Sequence, residues 1–343
     1  MSAAPNTILE PYLQILLTRA TLTQENAERA MNLIIEEADP HQVAAFLAML
    51  KYRGETPEEV AGMVAALEKK ALQVTLPYPV LDIVGTGGDL AHTVNISTGA
   101  AILAAACGVP VAKHGSRSVS SRSGSADVFE ALGLEIEIHP AKVEECLREA
   151  NIAYLFAPYY HPSLKKIGSI RRGLKLPTVF NMLGPLLNPA KAEHLLIGVA
   201  SEHALELISQ VILRLSHVKR ALVFYGCGLD ELTPLGPVVA YEICDGKRHR
   251  LAIDPRALGF SPCTLEDLQG GDAVMNASIL QEVFAGRPGA IADALSFTAG
   301  AGLWIYGRAP SLIDGIQVAR DALKEGKALQ TLEKLRAYSN RRI

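Results

Sequence analysis

Asp82-Ile83-Val84-Gly85-Thr86-Gly87-Gly88-Asp89 runs from apolar residues straight into glycines, and Thr93, Asn95, Ser97 and Thr98 follow where a helix should begin. A short buried strand that turns through glycines into a helix is the building unit of an α/β sheet. Glycines let a backbone approach an anion closely, and the unpaired N–H groups of a helix N-terminus complete a cradle for it. The spacing matches neither Gly-x-x-x-x-Gly-Lys-Ser/Thr nor Gly-x-Gly-x-x-Gly, so it is neither a P-loop nor a Rossmann loop. A plain strand-to-helix turn capped by Ser and Thr is the alternative. The expectation is a loop that grips the phosphates of a phosphorylated sugar.

Downstream, short apolar runs alternate with helical stretches. Strands are expected at Leu81 to Val84, Val109 to Ala112, Ile152 to Phe156, Leu195 to Val199 and Ala221 to Tyr225. Helices are expected at Thr98 to Cys107, Ala141 to Ala150 and Glu202 to Leu215, and from Ala273 onward the chain reads as helices broken at Gly286, Pro288, Gly307 and Pro310. That order calls for a central, mainly parallel sheet flanked by helices. Upstream, from Ile8 to about Ala71, apolar residues recur at helical intervals, and Thr56-Pro57-Glu58-Glu59 spells a capping box with proline at the first helical position. The fold class is therefore α/β, a small helical domain plus a larger α/β domain. The expected division is a helical domain over 1–75, joined by part of 162–190, and an α/β domain built from 76–161 and 191–343.

Three further constellations follow predicted strands or join the domains. Lys113 to Asp127 holds three cations, six hydroxyls and two glycines, a donor-rich loop suited to closing over a polyanion. Asp230-Glu231 places two adjacent carboxylates after a strand, and Mg²⁺ takes one or two carboxylates together with phosphate oxygens. The stretch 162–188 carries five basic residues, Lys165, Lys166, Arg171, Arg172 and Lys175, and ends in Phe180-Asn181-Met182-Leu183-Gly184-Pro185-Leu186-Leu187-Asn188. An arginine there can pair in two-pronged fashion with a substrate carboxylate, and His161 stands beside it in sequence; neither Arg171 nor Arg172 is singled out by spacing alone.

Composition narrows the class. Apolar residues make up 49% of the 343 residues and charged residues 20%, ordinary for a globular enzyme, and the net charge of −3 gives no global attraction to nucleic acid. The five cysteines are far apart and show no zinc spacing, so free thiols are expected. The first positive charge is Arg19, with no basic start followed by an apolar stretch, and the longest apolar run is broken by Gly108 and Pro110. A cytoplasmic enzyme without a membrane span is the expectation.

Taken in order, Gly54-Glu55-Thr56, Gly85-Thr86-Gly87-Gly88-Asp89, Asn95-Ile96-Ser97-Thr98, Lys113-His114-Gly115, Ser123-Gly124-Ser125-Ala126-Asp127, Phe180 through Ala190, Leu229-Asp230-Glu231-Leu232 and Gly270-Gly271-Asp272-Ala273 resemble the anthranilate phosphoribosyltransferase family over essentially the whole chain. The resemblance implies Mg²⁺-dependent transfer of phosphoribose from phosphoribosyl pyrophosphate to the amino group of anthranilate, in a homodimer formed through the helical domain. It implies donor contacts from Gly85, Gly88, Asp89, Thr93, Asn95, Ile96, Ser97, Thr98, Lys113, His114, Gly115, Ser116, Arg117, Ser118, Val119, Ser120, Ser121 and Ser125. Anthranilate would meet Arg171, Gly85, Ser116, His114, His161 and Gly184, and the metal would be held by Ser97, Asp230 and Glu231. No side chain is assigned as a general acid or base. A pyrimidine nucleoside phosphorylase and a non-catalytic nucleic-acid-binding relative are the other readings; Arg171, the Gly184-Pro185 turn and the acidic pair speak against them.

Five positions depart from the family's pattern. Ser116 stands where asparagine is usual, Lys175 and Pro177 replace glycine and arginine, Cys227 replaces aspartate and Thr298 replaces asparagine. They are expected to bear on the acceptor and to leave the phosphate loop and the acidic pair untouched.

Overall fold

The computed structural model describes residues 8–37, 39–118 and 122–341. Four helices come first, α1 (Glu10–Leu17), α2 (Gln24–Glu36), α3 (Pro40–Arg53) and α4 (Pro57–Lys70), with α1 packed on α3 and α2 on α4. Helices α2, α3 and α4 start on the side-chain caps Thr23, Asp39 and Thr56. The Thr56 cap is the box its sequence spells, since Thr56 accepts the Glu59 N–H at 3.3 Å and Glu59 accepts the Thr56 N–H at 2.9 Å. Glu59 is fully buried, also accepts the Leu22 N–H at 2.8 Å, and pairs with Arg53, so one carboxylate ties three helix ends together.

Past Pro79 the pattern changes period. Strand β1 (Leu81–Gly85) leads to α5 (Ile96–Ala106), β2 (Val111–Gly115), the short α6 (Ser125–Ala131), α7 (Val143–Ala150) and β3 (Ile152–Phe156). The expected strand at Val109 starts two residues later, because Pro110 has no N–H to give the ladder; its carbonyl instead accepts the Leu81 N–H at 3.0 Å. Helices α8 (Ala157–Tyr160), α9 (Lys165–Leu174) and α10 (Phe180–Leu183) then carry the chain out to the first bundle, where α9 packs on α2 and α3.

It returns as β4 (His194–Gly198), α11 (Glu202–Ile212), β5 (Arg220–Gly226), β6 (Val238–Cys244) and β7 (Lys247–Ile253), and finishes in α12 (Ala273–Phe284), α13 (Ala290–Tyr306), α14 (Leu312–Lys324) and α15 (Lys327–Ser339). One sheet holds all seven strands in the order β3-β2-β1-β4-β5-β6-β7; the first five are parallel, and β6 and β7 add an antiparallel hairpin. The hairpin turns on Asp245-Gly246, both at positive φ (52° and 69°), as a two-residue turn between right-twisted strands requires.

Helices α5 and α13 cover β1 and its neighbours, and α11 covers β5 and β6 while touching α4 of the bundle. Strand β3 is buried along its whole length, whereas Lys247, His249 and Arg250 on β7 are exposed. Strand β1 sits between β2 and β4, so the loops leaving β1 and β2 open a crevice at the strands' carboxyl ends. Ligands of open α/β sheets bind in such a crevice. No helix among the described residues is long and apolar enough to cross a membrane.

Candidate active site

A cavity of ≈ 510 Å³ lies at that crevice, walled by the ends of β1, β2 and β5, the start of α5, and α8 to α10. Gly85, Gly88, Asp89, Thr93, Asn95, Ser97, Thr98, Lys113, His114, Gly115, Ser116, Arg117, Ser118, Ser125, His161, Arg171, Gly184, Asp230 and Glu231 all line it. Residues separated by more than a hundred positions are thus brought to one site. Ile96 points into the core instead, fully buried. Val119, Ser120 and Ser121 lie outside the described residues.

The glycine loop keeps the geometry its composition predicts. Gly87 and Gly88 have φ of +69° and +88°, the left-handed region that other residues avoid. At Gly85 the requirement is space, since an added Cβ would sit 2.9 Å from Cγ of Asp230 and nearer still to its Oδ2. Asp230 Oδ2 accepts the Gly87 N–H at 2.6 Å, so the acid after β5 is pinned to the loop after β1. Glu231 Oε1 accepts the Ser97 N–H at 3.2 Å, at the positive end of α5.

These two carboxylates are expensive as anions. Burial, then the neighbouring Asp89, pushes the Asp230 carboxyl up to about 7; burial, then Asp230, raises Glu231 well above the usual range. Lys113 opposes the rise at Glu231; it is itself completely buried, its Nζ donates to the Ile83 carbonyl at 2.6 Å, and burial pulls its pKa down. On the far side of Lys113 lies Asp82, fully buried and pushed up to about 6 by burial, with Lys113 opposing the shift. Asp82 accepts the His114 N–H at 3.2 Å and an Asn188 Nδ2–H at 2.7 Å, and Asn188 also donates to the Ala112 carbonyl at 2.8 Å. This network fixes β2 where it delivers Lys113 and His114. The sequence reading quoted Asp82 and Asn188 without giving them a role; a carboxylate within an apolar strand was the signal.

At the opposite end, His114 and His161 meet edge to face, ring centroids 5.3 Å apart. His114 Nδ1–H donates to the Gly184 carbonyl at 3.1 Å and His161 Nε2–H to the Leu187 carbonyl at 2.9 Å, which fixes both tautomers. Burial, with His161 close by, pushes His114 down to about 3, and burial lowers His161 as well, so both are neutral. Their other nitrogens, Nε2 of His114 and Nδ1 of His161, are buried without a partner. Arg171 lies 5.3 Å over the Phe180 ring, partly buried, and no carboxylate among the described residues pairs with it. Arg172, the other candidate, is exposed and does not line the cavity.

Arg117 behaves differently from the other cations. Its guanidinium pairs with Asp127 at 2.9 Å and with Glu130 at 2.5 Å, so its charge is spent anchoring the loop to α6. Two of these departures also fall elsewhere than expected. Thr298 is buried on α13 and donates to the Leu232 carbonyl at 3.3 Å, directly behind the acidic pair, and Cys227 sits at φ +54° in the turn that leads into Asp230. Thr298 backs the carboxylates because α13 packs against β4 and β5, a relation the sequence does not display.

Residues 10–71 match the helical bundle domain of the glycosyl transferase family, and residues 77–329 match that family's α/β domain. The anthranilate phosphoribosyltransferase of Chlamydia felis is 59% identical over 332 residues, 97% of each chain, and that of a Bradyrhizobium species is 43% identical over 325 residues, 94% of this chain and 96% of its own. Among solved structures, the Thermus thermophilus anthranilate phosphoribosyltransferase superposes with a TM-score of 0.89 at 38% identity, covering 95% of this chain and 98% of its own. The Saccharomyces cerevisiae enzyme, in complex with phosphoribosyl pyrophosphate and Mg, gives 0.90 at 27% identity, covering 97% and 98%. With both domains matched in order and near-complete coverage on each side, the chain belongs to the anthranilate phosphoribosyltransferase family.

Proposed function

We propose that the protein transfers the phosphoribosyl group of phosphoribosyl pyrophosphate to the amino group of anthranilate, with pyrophosphate leaving. The observation that carries this reading is the buried acidic pair set against a glycine loop and a helix N-terminus. Asp230 and Glu231 are hard to ionise where they stand, which fits a site completed by a divalent cation. No group of three or more metal-binding side chains converges among the described residues. That fits Mg²⁺, which keeps few protein ligands and takes the rest of its oxygens from phosphates and water. Asp230 and Glu231, with Ser97 beside them, would hold it, and when bound it neutralises charge on the departing pyrophosphate.

The chain's own groups supply the rest. The glycine loop and the start of α5 wall the phosphate end of the cavity, and Lys113 stands beside Glu231 there. At the other end Arg171, unpaired, meets the anthranilate carboxylate. The bare nitrogens of His114 and His161 accept from the amine N–H groups and aim its lone pair at C1 of the ribose. The N–C1 bond forms, the C1–O bond breaks with its electron pair going to pyrophosphate, and the amine sheds one proton to the departing pyrophosphate or to solvent. An aromatic amine is unprotonated near neutrality, so positioning and electrostatics suffice without a strong base. The division of the chain into a helical unit over 1–75 with part of 162–190 and an α/β unit over 76–161 and 191–343 belongs to this reading, as do a cytoplasmic location and a homodimer formed through the helical unit. Support for the division comes from α9 packing on α2 and α3; support for the dimer face comes from the exposed Leu17 and Tyr52 on α1 and α3.

The test is direct. Phosphoribosyl pyrophosphate, Mg²⁺ and purified protein should consume anthranilate fluorescence with one pyrophosphate released per anthranilate lost. Pyrophosphate release with another amine and none with anthranilate would overturn the acceptor.

A further inference from the structure

Asn276 lies on the first turn of α12, is 1% exposed, and has its amide engaged on both sides. Its Oδ1 accepts the Gly271 N–H at 2.7 Å, which fixes the orientation of the amide. Its Nδ2 donates to Asn95 Oδ1 at 2.8 Å and to Ser123 Oγ at 2.9 Å. Ser123 Oγ–H donates to Asn95 Oδ1 at 3.1 Å, and Asn95 Nδ2 donates to the Ser123 carbonyl at 3.2 Å. Three side chains from α12, from the start of α5 and from the end of the serine-rich loop therefore close one ring. The segment before α12 is strapped to the same place, since Val94 N–H donates to the Leu268 carbonyl at 2.9 Å and Gly270 N–H to the His92 carbonyl at 3.0 Å.

The ring has a consequence for α5. Asn95 is its N-cap, and an asparagine there ordinarily turns its side-chain oxygen onto an N–H of the first turn. Here it makes no capping bond. Its oxygen is held by Asn276 and Ser123 instead, while the first-turn N–H groups go to Glu231 from Ser97 and to the Asn95 carbonyl from Thr98 and Gly99. We infer that Asn276 is a positioning residue for the phosphoribosyl donor: it holds the side chains of Asn95 and Ser123, which both line the cavity, in one fixed arrangement at the start of α5. Asn276 does not line the cavity and acts only through these two neighbours.

The inference rests on the donor reading, so it is tested by binding alone, without anthranilate. Titration calorimetry of phosphoribosyl pyrophosphate with Mg²⁺ is run on wild type, Asn276→Ala, Ser123→Ala and the double variant, with KM for both substrates and thermal melts in parallel. Loss of one or two buried hydrogen bonds should weaken donor binding about tenfold in Asn276→Ala while KM for anthranilate stays within about twofold. The double variant should be no weaker than Asn276→Ala, because both cut one ring. Donor binding unchanged in Asn276→Ala, equal losses on both substrates, or additive losses in the double variant would each overturn the role. Should Asn276→Ala fail to fold, Ser123→Ala cuts the ring from the loop side; a weakened donor supports the role and an unchanged one overturns it. A wild-type protein that binds no phosphoribosyl pyrophosphate overturns the donor reading itself.

Discussion

Replacing Gly85 with alanine should damage the metal end of the cavity. The new Cβ would lie 2.9 Å from Cγ of Asp230, where ordinary contact begins at 3.4 Å, so the carboxylate must retreat by about half an ångström or more. The backbone cannot yield in its place. Strand β1 is held in register between β2 and β4, with Gly85 opposite Gly198, and Gly198 is itself pressed against the Asp230 carbonyl. The carboxylate therefore swings, and the 2.6 Å bond from the Gly87 N–H to Oδ2 is lost. A hydrogen bond to a charged group contributes about 1.5–3 kcal/mol, which corresponds to roughly 10- to 150-fold in the apparent affinity for Mg²⁺ with the donor. The assay is initial rate against Mg²⁺ at saturating anthranilate and pH 8, where Asp230 is ionised, with a melting curve to confirm that the fold persists. A Mg²⁺ dependence that superimposes on wild type, or a loss confined to anthranilate, would refute the reasoning.

Two further outcomes follow from the buried polar groups. Asn188→Leu strips Asp82 of its 2.7 Å partner in a fully buried place and should cost about 3 kcal/mol, read as a lower urea midpoint; a loss under about 1 kcal/mol would show that Asp82 does not depend on Asn188. His114 is held neutral down to about pH 3, while an unfolded histidine takes up a proton below about 6.5, so its share of stability is lost as pH falls through that window, by about 1.4 kcal/mol at pH 5.5. Asp82, raised to about 6, has the opposite sign, its share being lost as pH rises toward 6, and it cancels when wild type is compared with His114→Gln. The gap between the two proteins in urea should therefore narrow from pH 7 to pH 5.5; parallel profiles would contradict a neutral His114.

Where the sequence spoke, it spoke through the backbone. Glycines at 87 and 88, the capping box at Thr56 and the period change near Pro79 are local signals, and each appears where expected. The β6–β7 hairpin went unread although Asp245-Gly246 marks it, because Lys247-Arg248-His249-Arg250 shows no apolar alternation. Within the site, residues on strand ends and helix starts were legible. Arg117 was expected as a donor contact from the resemblance, and only the fold shows that Asp127 and Glu130 lie against it. Asn276 gave no signal: one buried amide 181 positions from its partner Asn95 looks like any other polar residue on a helix.

Strand β7 has a consequence of its own. The sheet's other margin, β3, is covered, so β7 is the margin along which a second molecule could add strands. Two copies pairing antiparallel about the middle of β7 would set Arg250 of one against Arg250 of the other, and like charges opposite each other repel. Addition of a second copy's sheet along this margin is therefore disfavoured. Self-association is left to other surfaces, and at high concentration this margin should resist fibril growth until its cations are replaced.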